Sequence, residues 1–255
     1  MREKIEAILR QNGIPLVGFC PFEWVQPHLL NCRAAARLPQ NAKTVIICAF
    51  PYKVKEQPPQ NISRYAAVPD YHLVFKELST RVTEQLCLAF PENRFEWFQD
   101  NSPIPEVSTA ATAGLGVRGD NGLLITKEYG SWVFLGEWVT DLALECENRF
   151  SACPHCGRCA AACPKSDECL SAVTQKKGEL APEEAALLRQ HNLVWGCDIC
   201  AEACPLNKNV KMDPIAAFAD GYRDEYVIGE DITGRAYAWR GEKPVRRNAE
   251  NLQGE

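Results

Sequence analysis

The run CPHCGRCAAACP, residues 153–164, decides how the rest of the chain is read. Cys153, Cys156, Cys159 and Cys163 stand at gaps of two, two and three residues, and Pro164 closes the run. A thiolate-only ligand set selects zinc, copper(I) or iron–sulfur clusters. Structural zinc commonly draws on two separated C-x2-C knuckles. The spacing here instead follows the bacterial ferredoxin pattern, whose fourth cysteine ligates the other cluster of a pair. Three cysteines at gaps of two wrap one cube, and the next, on the following turn, points away from it. A second set is therefore expected, and WGCDICAEACP (195–205) supplies Cys197, Cys200 and Cys204 before Pro205. Cys169, in DECLSAV, is the spare thiol of the region. Completing the pairing puts Cys153, Cys156, Cys159 and Cys204 on one [4Fe–4S] cluster. Cys163, Cys169, Cys197 and Cys200 then hold the other, with two zinc sites as the alternative.

The remaining cysteines and the composition set the context. The chain has 13 cysteines, and its first twenty residues carry charges throughout with no apolar core. That opening is not a signal peptide, so the thiols are expected in a reducing, cytoplasmic setting and on metal rather than in disulfides. No apolar run reaches the roughly 18 residues of a membrane span, so no membrane is expected. Cys20 and Cys48 lie in the apolar runs LVGFC and VIICAF and read as core. The 46% hydrophobic and 24% charged composition fits a soluble globular protein. A net charge of −5 gives no global pull toward nucleic acid. The stretch TGRAYAWRGEKPVRRN is locally basic, with Arg235, Arg240, Lys243, Arg246 and Arg247 against Glu242. It reads as a solvated strip or as a phosphate contact.

Two clusters make a path for single electrons, and the long segment before them is expected to contain the destination. REKIEAILRQNG has helical periodicity and a glycine stop. LVGFC and TVIICAFPY read as buried strands, the second broken by Pro51, and FEWFQD as a short strand ending in an acid. PDYHLVFKELSTRVTEQLCLAF reads as a long amphipathic helix and STAATAGLG as a small-residue helix. GLLIT and GSWVFLGEWVTDLAL are expected to pair through Tyr129, Gly130 and Ser131. The alternation predicts an α/β (α+β) domain over residues 1–148. A bicluster ferredoxin-like domain over 149–210 and a basic extension over 211–255 follow, with the boundary near 147–152. There is no G-x-G-x-x-G after a strand and no P-loop, and His28, His72, His155 and His191 are too scattered for a metal triad.

An ordered set of segments resembles the epoxyqueuosine reductase family, cobalamin-dependent iron–sulfur enzymes of tRNA modification. It comprises SRYA (63–66), DYH (70–72), QDNSPIPE (99–106), AGLGVRGDNGLLI (113–125), GSWVFLGE (130–137), the first cysteine run, CLSAV (169–173) and WGCDICAEACPLN (195–207). The resemblance implies an N-terminal domain that holds cobalamin against the ferredoxin module. It also implies that the epoxide oxygen of epoxyqueuosine at a tRNA wobble position is removed to give queuosine. Electrons would arrive singly from an external donor of flavodoxin or ferredoxin type, and a monomer is expected. Asp100 stands where the family places the acid that protonates the leaving oxygen, although Asp-Asn-Ser-Pro is also good turn material. The cobalamin contacts implied are Arg64, Tyr65, Asn121, Leu124 and Ser131, with Ser171, Cys197 and Asp198 from the cluster side.

Four departures from the family pattern bear on the substrate. Family members continue into a helical-repeat domain, whereas the given sequence ends at Glu255. Asp120 stands where a lysine is usual, Leu206 where a tryptophan is usual, and Cys169 follows Cys163 by a shorter loop. Loss of cationic surface weakens phosphate binding. A reductase of a small molecule or of a corrinoid protein, and a bicluster electron-transfer protein, therefore stand beside the tRNA reading.

Overall fold

A computed structural model describes residues 1–147, 152–165 and 167–254. The chain groups into two compact units. One is Met1–Pro51 with Phe75–His155 and Asn209–Lys211, and the other is Tyr52–Val74 with Cys156–Lys208 and Met212–Glu255. The boundary expected near 147–152 falls mainly on 148–151, outside the described residues. The second unit includes residues 52–74 because long-range backbone bonds hold them there. Ser63 N donates to Trp195 O at 2.8 Å, and Val194 N donates to Asn61 O.

The first unit opens with α1 (Arg2–Gln11), whose Ile5 and Leu9, four residues apart on one face, are fully buried. Its strands are β1 (Leu16–Pro21), β2 (Thr44–Pro51), β3 (Phe95–Phe98), β4 (Gly116–Arg118), β5 (Leu124–Thr126) and β6 (Val133–Thr140). A one-turn α2 (Phe22–Val25) follows β1. Four strands form a sheet in the order β1-β2-β6-β3 with every neighbour antiparallel. β2 continues through Pro51, which pairs opposite Val133, and is buried at every position. Cys20 and Cys48 are both fully buried in this sheet, as expected.

One expected pairing does not form. β5 pairs with β4, Gly116 opposite Thr126, while β6 lies between β2 and β3. A three-residue β5 cannot satisfy the backbone of an eight-residue strand as buried as β6. The link through Tyr129 and Gly130 reduces to one bridge, Thr126 to Gly130.

Close approach explains two glycines of the sheet. A Cβ on Gly18 would lie 2.7 Å from Ala113 Cβ, and one on Gly136 would lie 2.4 Å from Trp97 Cη2. Trp97 in turn stacks 4.3 Å from Trp138. Two helices, α4 (Tyr71–Ala89) and α5 (Glu106–Thr112), complete the layer, and Phe75 of α4 meets Phe50 at 4.3 Å.

The second unit is helical: α3 (Arg64–Ala67), α6 (Arg158–Ala162), α7 (Leu170–Thr174), α8 (Pro182–Gln190), α9 (Ile199–Glu202), α10 (Ala216–Ala219) and α11 (Glu242–Gln253). Its core gathers Ile62, Ala66, Trp195, Tyr226, Tyr237, Val245 and Ala249. Asn248 of α11 is fully buried and donates from Nδ2 to Thr174 O and Val194 O, both at 2.8 Å. Among the described residues, no helix is long and apolar enough to cross a membrane.

Candidate functional site

Asp100 follows β3 on a loop whose backbone is fixed by its own neighbours. The residue is exposed and left-handed, with φ 53°, a conformation Asp tolerates better than most side chains. Its N–H donates to Glu106 Oε1 at 3.1 Å, and its carbonyl accepts Ser102 N–H at 2.8 Å. Ser102 is buried, accepts Ile104 N–H at 3.0 Å, and donates from Oγ to Glu137 Oε1.

Glu137 is the residue that sequence reasoning missed. It lies at the centre of β6, opposite Ile47 and Phe98, and is fully buried. Burial, and then the Glu106 carboxylate, push its pKa well up. Burial also pushes Glu106 up to about 8, against a lowering by the Asp100 N–H; the charge of Asp100 raises it further. The signal was present in the sequence. An acid inside the apolar run VFLGEWVT occupies a position that would normally be Val or Ile. Glu106 was hidden because an acid in the first turn of a helix reads as a dipole partner.

The cysteines of the second unit sit at the ends of short helices that pack together. Cys159 lies in α6 and Cys163 is its C-cap; Cys200 lies in α9 with Cys204 just beyond it. Cys169 is the N-cap of α7. Burial pushes the Cys197 thiol up to about 11, with smaller contributions from Asp198, Cys169 and Cys200. Three of the four thiols assigned to one cluster are therefore within electrostatic reach of one another, and a cationic metal is what such a set is suited to hold. Of the other set, Cys156, Cys159 and Cys204 belong to the second unit and Cys153 to the first. Cys153 lies beside Asp120 and His155, with their ligand atoms all within 4.8 Å of one another. His155 Nδ1 and Asp120 Oδ1 are 2.8 Å apart.

The residues implied for cobalamin divide between the units. In the first, Leu124 and Ser131 are buried, and Asn121 Nδ2 is buried without a hydrogen-bond partner. An orphaned amide donor beside an apolar residue fits a plate-like ligand with amide arms. In the second, the structure brings Arg64 and Asp198 together: Arg64 N–H donates to Asp198 Oδ2 at 2.6 Å. Burial pushes Asp198 up to about 6. The Arg64 guanidinium is 4% exposed and binds Glu202 Oε1 at 2.6 Å, Lys55 O at 2.8 Å and Glu56 O at 2.7 Å. Tyr65 OH accepts Trp195 Nε1–H at 2.8 Å. Ser171 is partly buried at the start of α7, where its carbonyl accepts from Thr174 Oγ1 and Gln175 Nε2.

The basic C-terminal stretch separates into two roles. Arg235 and Arg247 are structural, donating to Ala67 O and to the carbonyls of Lys176 and Gly178. Arg240 and Lys243 line a cleft of about 750 Å³ with Lys177, Glu179 and Glu242.

A family model described as "Epoxyqueuosine reductase QueG, DUF1730" matches residues 33–101. An epoxyqueuosine reductase of Listeria monocytogenes is 30% identical over 98% of this chain and 79% of its own length. The structure of epoxyqueuosine reductase from Streptococcus thermophilus superposes with a TM-score of 0.82 at 25% identity, over 99% of this chain and 80% of that one. A crystal structure of epoxyqueuosine reductase with an epoxyqueuosine-modified tRNA-Tyr stem loop shares the fold, with a TM-score of 0.79 at 23% identity over 98% and 80% of the two chains.

Proposed function

Because the chain belongs to the epoxyqueuosine reductase family, we propose that it reduces the epoxide of epoxyqueuosine in tRNA, with Asp100 as the proton donor. The reaction takes two electrons and two protons and leaves an alkene and water. When bound, two [4Fe–4S] clusters would supply electrons one at a time and cobalamin the strongly reducing cobalt that the epoxide requires. The eight thiols from Cys153 to Cys204 would hold the clusters in the sets given above. Arg64, Tyr65, Asn121, Leu124 and Ser131 would be contacts of the corrin, with Ser171, Cys197 and Asp198 added from the cysteine-rich segment. An external flavodoxin-like or ferredoxin-like donor would feed the clusters.

The observation that carries this reading is the setting of Asp100. It is an exposed carboxyl whose backbone is pinned in a left-handed turn by Glu106 and Ser102. As the epoxide opens, negative charge develops on oxygen, and a positioned acid there contributes about 10²–10⁴-fold to the rate.

The test is anaerobic reconstitution with iron, sulfide and cobalamin, then turnover on tRNA carrying epoxyqueuosine, read by nucleoside mass. The expected result is loss of one oxygen from the nucleoside, and a drop of about 10²–10⁴-fold in Asp100→Asn. Full turnover in that variant would remove Asp100 as donor. An electron paramagnetic resonance spectrum of cob(II)alamin unchanged by the protein would remove the cofactor assignment.

A further inference from the structure

Glu106 and Glu137 form a buried acid pair that the reading above does not use. Glu137 is fully buried between β2 and β3, a placement with no stabilising rationale for a lone carboxylate. The Glu106 carboxyl is close enough for the two acids to act on one another electrostatically. Glu137 Oε1 accepts from Ser102 Oγ, whereas Glu137 Oε2 is buried without a hydrogen-bond partner. The groups acting on the pair are Asp100 from the loop after β3, Ser102 from the same loop, and the buried thiol Cys48 from β2. None of these is a cation. Two carboxylates cannot both ionise in such a place without a large penalty, so the pair retains a proton.

The pair is connected to Asp100 at two points. Glu106 Oε1 accepts the Asp100 N–H, and Ser102, two residues on, donates to Glu137 while its own N–H holds the Asp100 carbonyl. We propose that Glu106 and Glu137 are positioning residues for Asp100, a pair sharing one buried proton that fixes its left-handed loop and reprotonates it after each turnover. The proposal rests on the reading of Asp100 as donor. In each cycle Asp100 gives its proton to the departing oxygen and becomes a carboxylate. The proton of the pair moves to Asp100 as another enters the pair from water, so the two carboxylates are never ionised together.

The same charge logic sets the expected pH behaviour. Burial pushes both acids up, Glu106 to about 8. Above about 8 Glu106 has lost its proton, and Asp100 would have to be recharged from solvent. The kcat profile of the wild type should therefore fall on the alkaline side, and Glu106→Gln should alter that limb.

The test has two independent readouts. First, infrared difference spectra of the isotopically labelled wild type near neutral pH should contain the C=O stretch of a buried protonated carboxylic acid, lost or shifted in Glu137→Gln. This requires neither cofactor nor substrate, and absence of the band in the wild type overturns the proposal even if every variant misfolds. Second, in the reconstituted enzyme, Glu106→Gln keeps an oxygen to accept the Asp100 N–H but cannot pass a proton. Its kcat should fall about tenfold or more, less than for loss of the donor itself, with KM for tRNA unchanged. Glu106→Asp should recover part of the rate. If Glu106→Gln and Glu137→Gln keep the wild-type kcat and alkaline limb while Asp100→Asn is inactive, the pair is structural and only this proposal fails. If Asp100→Asn is fully active, the reading beneath it fails.

Discussion

Placing a methyl group on Gly196 should destabilise the second unit and disturb Cys197, the adjacent thiol. Gly196 has φ 72°, and a Cβ there would meet Ser63 Oγ at 2.0 Å, Ser63 Cβ at 2.6 Å and Tyr65 Cε1 at 3.1 Å. Ser63 cannot simply swing away, because its N–H is bonded to Trp195 O at 2.8 Å and its main chain leads into Arg64. The left-handed conformation costs a residue with a Cβ about 1–2 kcal/mol. Forcing extra volume into a packed site adds about 1–3 kcal/mol. Gly196→Ala should thus lose about 2–5 kcal/mol in all, or roughly 4–20 °C in Tm for a chain of this size. Gly178→Ala is the control: its φ is 80° but nothing lies within 4 Å of the added Cβ. That variant should show the conformational part alone, roughly 2–8 °C. Thermal unfolding under argon, with iron counted per chain, measures both consequences. A Tm loss in Gly196→Ala no greater than in Gly178→Ala would refute the steric argument.

Asn248→Ala should strip Thr174 O and Val194 O of their donor in a fully buried site, costing about 2–4 kcal/mol in denaturant unfolding; a loss under about 0.5 kcal/mol would contradict it. The raised acids also set a sign for stability against pH. Glu106 moves from 4.5 to about 8 on folding, so its contribution is complete below about 4.5 and is lost as pH rises through 8. The slope is at most about 1.4 kcal/mol per pH unit per proton. Asp198, raised to about 6 from 3.8, acts in the same direction over its own lower window. Unfolding midpoints should decline from pH 5 to pH 8 and decline less in Glu106→Gln, whereas a rise across that window would reverse the assignment. Asp120→Lys removes the contact with His155 and adds a cation. Binding of tRNA across a salt series should then become steeper by about one unit in log–log slope, and an unchanged slope would take residue 120 out of the RNA contact.

How far the sequence could be read depended on which forces acted locally. Cysteine spacing is covalent, so the ligand pattern could be written down before any fold was known. The helices α1, α4 and α5 and the strands β1, β2 and β3 followed from apolar periodicity, which reports an element's type. Periodicity does not report a strand's partner. GLLIT and GSWVFLGEWV were adjacent in the chain and looked paired, but the length of β6 made β2 and β3 its neighbours. The grouping of residues 52–74 with the cysteine-rich unit rests on bonds such as Ser63 to Trp195, which no local pattern encodes. Asp100 was picked out by its motif as the proposed donor, whereas the buried acids that bond to its loop were not. Glu137 was masked by the apolar residues around it, and Glu106 by its ordinary place at a helix start.

The fully buried thiols of the sheet bear on the order in which this chain is built. Burial pushes Cys20 up to about 12 and Cys48 well above its ordinary value, so neither offers a thiolate once β1 and β2 have paired. Before that pairing they are competitors for iron like any other cysteine. The eight cysteines proposed as ligands, by contrast, are partly or fully exposed and remain available. Metal arriving after the sheet has closed would meet a narrower field of thiols, so the pairing of β1 with β2 would favour loading of the cysteines proposed here as ligands.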